Sequence, residues 1–98
     1  MKRIQRKRTK GWKMPEGAIY VGRPTIWGNP FRVSPNMPAL EAKRRYAVYI
    51  YAKVKGNREW RTEFEKLRGH DLACWCPLDQ PCHADVLIEL LDALEVQP

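Results

Sequence analysis

The chain has no apolar run approaching the roughly 20 residues that span a bilayer, and its first residues carry charge without an apolar core. Neither a membrane span nor a secretory leader is predicted, and the cytoplasm is the expected compartment. Cysteine is scarce, with three residues, an odd number, all between Cys74 and Cys82. A set so small and so local argues against a disulfide framework and predicts reduced thiols. Acid is missing from the start of the chain. Lys2, Arg3, Arg6, Lys7, Arg8, Lys10 and Lys13 place seven positive charges before Pro15 with no carboxylate among them. The other eleven basic residues match the eleven acids, so the net charge of +7 is that of the N-terminal segment. Such a segment attracts polyanions, nucleic acid above all, through counterion release. The same pattern also suits a solvated arm with no specific partner.

At 98 residues the chain can build one modest core but not two. A single domain over residues 1–98 is expected, with residues 1–15 as a basic edge strand or arm that Trp12 ties to the body. Ala18-Ile19-Tyr20-Val21, β-branched and aromatic between Gly17 and Gly22, reads as a strand. Gly22-Arg23-Pro24-Thr25-Ile26-Trp27-Gly28-Asn29-Pro30-Phe31 then holds two glycines and two prolines in ten residues. Such a stretch fixes turns and lets main chain, here at Gly28, approach a ligand closely. Arg23 offers a planar donor fork for phosphate, Asn29 an amide that reads a base edge or orders the loop, and Trp27 a stacking face. Read as structure alone, the same loop would plug the core with Trp27 and Phe31.

A helix is predicted from Asn36-Met37-Pro38 to Lys55, stopped at Gly56, with Leu40, Ala47, Ile50, Tyr51 and Val54 facing the core. Asn57 caps a second helix carrying Trp60, Phe64 and Leu67, closed at Gly69. His70 falls in the next turn, as a surface histidine. Asp71 to Cys76 returns to strand and Cys82 to Val96 forms a third helix, with further short strands open at Arg3 to Arg8 and Phe31 to Val33. Strands separated by helices predict an α/β fold, Rossmann-like, with a small parallel or mixed sheet of three to four short strands and three helices. If the two main strands are parallel, the loops at Gly22–Phe31 and Pro77–Cys82 leave the same edge of the sheet, where ligands of such folds bind.

The second loop collects the chemistry, because Cys74, Cys76, Cys82 and His83 fall within ten residues. Three readings stand. Zinc is the first, since all four are acceptable ligands; residues i and i+2 on a straight strand, however, lie about 6.5–7 Å apart, so zinc needs a bent chain and is not favoured. The second is catalysis by Cys82 with His83, the helix N-terminus stabilising a thiolate. The third is burial of the cysteines as small apolar side chains. Trp75 between them offers a further stacking face.

Gly17 to Phe31, followed by Leu67-Arg68-Gly69, Leu72-Ala73-Cys74-Trp75-Cys76 and Pro81-Cys82-His83-Ala84-Asp85-Val86-Leu87, resembles the family catalogued as domain of unknown function 4326, small proteins of bacteriophages and bacteria. Arg8 to Trp12 and Pro15 to Gly17 fit as well, so the resemblance runs nearly the whole chain. That family's activity is not established, and no catalytic residue carries over. What the resemblance implies is that the loop with Arg23, Trp27, Gly28 and Asn29 and the loop with Cys74, Cys76, Cys82 and His83 define the domain together. The expectation is a site that binds, and through Cys82 and His83 processes, a nucleotide or nucleic-acid base, held by Arg23, Trp27, Gly28, Asn29 and Trp75. The alternative is a basic nucleic-acid-binding accessory protein whose Cys/His cluster is structural or zinc-bound. Enzyme status, cofactor and oligomeric state stay open.

Overall fold

A computed structural model describes residues 1–94. Three short strands, β1 (Arg3–Gln5), β2 (Ile19–Tyr20) and β3 (Leu72–Cys74), and three helices, α1 (Ala39–Gly56), α2 (Arg58–Glu65) and α3 (His83–Ala93), make a small α/β fold. The sheet is wholly parallel in the order β1-β3-β2, with Arg3 and Ile19 both in register with Leu72. β3 is buried throughout because it pairs on both edges, and its Leu-Ala-Cys sequence has no charge to solvate. β1 is the edge the sequence left open between strand and arm, and its charged residues suit that position. Phe31–Val33 does not pair as a strand; the nearest pairing is an isolated bridge between Ser34 and Met37. Among the described residues no helix is long and apolar enough to cross a membrane.

α1 ends where Asn57 turns extended, and the Asn57 side chain then accepts hydrogen bonds from Glu59 N at 2.9 Å and Trp60 N at 3.2 Å to start α2. One residue closes one helix and opens the next, so Gly56 stays inside α1 instead of stopping it. The buried row of α1 is Ala42, Tyr46, Ile50 and Val54, spaced four apart, while Leu40 and Tyr51 are 47% and 46% exposed. That corrects the expected face. Apolar residues ring α1 on several sides, so periodicity alone does not orient it; Tyr46 does, because its hydroxyl donates to the Trp27 carbonyl at 2.7 Å.

α1 packs on α2 and α3, and α3 lies along β3 and β1. Val21, Tyr46, Ile50, Phe64, Leu72, Leu87 and Leu91 are fully buried where these elements meet. Leu67 joins them from the turn after α2, which Gly69 completes at φ +85°. His70, expected at the surface, is half-buried and donates from Nδ1 to the Gly17 carbonyl at 2.7 Å, joining the turns that lead into β3 and β2. α3 is described to Ala93, and the Glu95 and Val96 end of its expected span lies outside the described residues.

The C-terminal end of α3 is closed from outside. Arg68 donates to the Leu91 carbonyl at 2.7 Å and the Leu94 carbonyl at 2.9 Å while its Nε holds Glu65 at 2.8 Å. Hydrogen bonds from Arg68, with help from Arg61, hold the Glu65 carboxyl below the ordinary carboxylate range against the opposing effect of burial. Arg68→Ala is therefore expected to lower stability by about 1.5–3 kcal/mol, as for loss of charge-assisted bonds. The Glu65 contribution is present above its unfolded value of about pH 4.3 and fades as the pH falls through its lower folded value. Urea midpoints measured from neutral to acid pH for wild type and Glu65→Gln check this, the two curves converging in acid.

Candidate functional site

Because all three strands run the same way, the residues that follow them emerge on one side. A cleft of about 380 Å³ opens there, lined by the loop after β2, the start of α1, and the chain from Cys74 to His83. The two unusual loops therefore line one cleft.

The first loop is folded tightly on itself. Thr25 N and its hydroxyl both donate to the Gly22 carbonyl, at 3.0 and 2.6 Å, and the Tyr20 hydroxyl donates to the Arg23 carbonyl at 2.6 Å. A Cβ at Gly28 would sit 3.0 Å from the backbone N and Cα of Arg23, so glycine is what allows the loop to close. Gly28 itself does not line the cleft; it positions Arg23, which does and is exposed. Trp27 departs from the expected stacking role. It is 5% exposed and packs into the core, edge-on to Trp60 at 5.6 Å and against Phe64 at 6.3 Å. A large apolar ring gains more from that burial than from a wet cleft wall. Asn29 lines the cleft, but its amide accepts from Phe31 N at 2.8 Å and donates to the Ala42 carbonyl at 3.3 Å, an arrangement that orders the loop and fastens it to α1.

The second loop converges its sulfurs. β3 ends at Cys74 and the chain bends at Trp75 and Cys76, which removes the straight-strand spacing that weighed against a common ligand. The sulfurs of Cys74, Cys76 and Cys82 lie within 4.8 Å of one another, and a cluster of this kind can hold a metal ion. Cys74 Sγ is 3.1 Å from Cys82 Sγ, and Cys82 Sγ is 3.6 Å from His83 Nδ1. Cys82 stands at the N-cap of α3, 2% exposed, and His83 begins the helix with Nε2 2.8 Å from the Val21 carbonyl. Since a carbonyl only accepts, Nε2 carries the proton and donates. Hydrogen bonds from Cys74 and Cys76 hold the Cys82 thiol below its ordinary range, with His83 acting in the same sense and burial opposing. Cys74 is pushed up by the same hydrogen bonding and by burial.

The residue that sequence reasoning missed is Arg3. Its side chain, 8% exposed, reaches from β1 under the cysteine loop, where Nη2 donates to the Leu78 carbonyl at 2.7 Å and the Pro77 carbonyl at 3.2 Å. Nη1 is buried without a hydrogen-bond partner among the described residues and lies 3.4 Å from Asp85 Oδ2 in the first turn of α3. Burial works against this charge, yet Cys82 and Asp85 more than offset it, and the Arg3 pKa is raised. Within a run of seven basic residues nothing distinguished Arg3; only its register beside β3 does. Further out, Arg6 lies over the rings of Tyr20 and Trp75 at 4.7 and 4.6 Å, and Arg8 over Trp75 at 4.5 Å. The basic segment is thus stacked against the site through Arg8. Arg32, Lys43 and Phe31 also line the cleft; of these the sequence had given a role only to Phe31, as a possible plug of the core.

The chain belongs to the DUF4326 family, a domain of unknown function, whose pattern covers residues 4–93. No curated protein and no solved structure matches it.

Arg3→Met keeps the stem and removes the buried charge. It is expected to lower stability by about 2–3 kcal/mol, read from urea unfolding, whereas Arg8→Met, on an exposed side chain, changes it by less than about 0.5 kcal/mol. Gly28→Ala is expected to destabilise by about 1–3 kcal/mol, since backbone and not a flexible tip must give way.

Proposed function

We propose that this protein binds a nucleotide or nucleic-acid base in the cleft formed by the Arg23–Asn29 loop and the Cys74–His83 loop. The observation that carries the reading is the lining. Three cations (Arg23, Arg32, Lys43) and three aromatic rings (Tyr20, Phe31, Trp75) border one cleft that also contains Cys82 and His83 at the start of α3. Anionic phosphate and a flat apolar base need those two kinds of group together. Phosphate would sit against Arg23, Arg32 and Lys43, close to the positive end of α3. The base would lie on Phe31, or on Trp75 in place of Arg6 or Arg8, since Trp27 is committed to the core and Asn29 to its own loop. About 380 Å³ is near the lower end of small-molecule sites, which run from about 300 to 1,000 Å³, and favours a mononucleotide unit. Cys82 and His83 would form the wall beside the bound group.

One observation favours a wider reading in which the ligand is a nucleic-acid strand. Arg6 and Arg8 are stacked on Trp75 beside the cleft, so the basic segment would continue the phosphate track outward from it.

Titration calorimetry with nucleoside mono- and triphosphates and with a short single-stranded DNA and RNA tests both. Arg23→Ala and Lys43→Ala are each expected to weaken binding about tenfold, equivalent to about 1.4 kcal/mol, without loss of fold. Strand binding is expected to weaken steeply with salt, with a shallower slope when Arg6 and Arg8 are replaced by Met. If neither nucleotide nor strand binds, or if Arg23→Ala leaves affinity unchanged, the proposal fails.

A further inference from the structure

We propose that Cys74, Cys76, Cys82 and Nδ1 of His83 form a zinc site in the wall of the cleft, with the buried guanidinium of Arg3 as its counter-charge. This inference does not rest on nucleotide binding. It rests on three converging sulfurs, an imidazole nitrogen beside one of them, and one cation.

Tetrahedral zinc with Zn–S bonds of about 2.3 Å and a Zn–N bond of about 2.0–2.1 Å has S···S edges of about 3.8 Å and N···S edges of about 3.6 Å. The Cys74–Cys82 sulfur separation of 3.1 Å and the 4.8 Å bound on the cluster bracket the first value. The Cys82 Sγ to His83 Nδ1 distance of 3.6 Å meets the second, while the 4.8 Å cluster holds the three sulfurs without His83, so the imidazole would turn toward Cys74 and Cys76 to complete the set. The histidine is also in the tautomer a ligand needs. With Nε2–H donating to the Val21 carbonyl, the Nδ1 lone pair of the neutral ring is on the Cys82 side, and a backbone carbonyl on the opposite nitrogen is the usual outer-shell support of a ligating histidine. A soft set of three sulfurs and one imidazole selects zinc among abundant divalent ions.

Charge supports the same assignment. Zinc with three thiolates carries one net negative charge, and Cys74 and Cys82 are 1% and 2% exposed, so a bound ion would need a nearby cation. Arg3 is that cation, and its Nη1 is buried beside the cluster without a hydrogen-bond partner among the described residues. Asp85 and the Pro77 and Leu78 carbonyls hold the guanidinium from its other sides, and the thiolates of a bound zinc would supply the partner that Nη1 lacks. Coordination releases the remaining thiol protons to solvent and involves no electron transfer. Its structural consequence is a staple joining the end of β3, the bend at Cys76 and the start of α3, which fixes one wall of the cleft.

The test uses the whole chain, prepared under reducing conditions without chelator, with metal content read by elemental analysis and native mass spectrometry. One zinc per chain is expected. Exchange with cobalt(II) is expected to give thiolate-to-cobalt charge transfer and the visible bands of a tetrahedral ion. Cys76→Ser is expected to weaken zinc by more than about tenfold; Cys76 is the most accessible ligand, so the fold should persist by circular dichroism. His83→Gln, whose amide can still donate to Val21, is expected to change the cobalt spectrum. Folded wild-type protein that takes up neither zinc nor cobalt stoichiometrically would overturn the proposal, whatever the variants do. So would a cobalt spectrum without thiolate charge transfer, or one unaltered by His83→Gln.

Discussion

Parallel pairing of β1 and β2 on either side of β3 is the constraint from which the rest follows. Parallel strands leave their C-terminal ends on one side, and the connections must return over the sheet, which is why α1 and α2 separate β2 from β3. With strands of only two or three residues the sheet supplies few ladder hydrogen bonds, and burial by the helices does most of the stabilising. What the sheet does supply is placement. Arg6, Gly22 and Trp75 all emerge at the same edge, and the N-terminus of α3 comes back to meet them.

Arg3 gives that edge its electrostatic character. A guanidinium held between two loop carbonyls, a helix-start carboxylate and a cluster of sulfurs is an arrangement whose desolvation must be matched by every partner at once. It connects the first strand to the last loop and the last helix, elements about seventy residues apart in sequence, and so holds the start of the chain against the sheet edge. Asp85 completes the set by also meeting Lys43 at 3.9 Å, which brings α1 to the same charge system.

Much of the fold was legible because its signals are local. Gly17 and Gly22 bracket β2, Asn57 caps α2, and the apolar spacing of Ala84, Val86, Leu87, Leu90, Leu91 and Leu94 marks the core-facing side of α3, with Leu90 and Leu94 half-buried. The family was legible from the two long motifs, whose residues fall within the match over 4–93. What local pattern did not carry is long-range. The buried face of α1 depends on Tyr46 finding the Trp27 carbonyl, Trp27 itself on Trp60 and Phe64, and the convergence of the sulfurs on a bend just past β3. Arg3 is the clearest case. Its positive charge is shared with six neighbouring basic residues, and only the register that sets it beside Leu72 separates it from Lys7 or Arg8.

The central claim is that the two loops make a single ligand site at the parallel edge of the sheet. The most direct measurement is amide chemical-shift mapping by NMR as a nucleoside monophosphate is added to the labelled protein. The account predicts shifts concentrated in residues 22–33, at Lys43 and in residues 74–84, arising together with one affinity. Shifts confined to residues 2–13, or spread with no saturation, would contradict it.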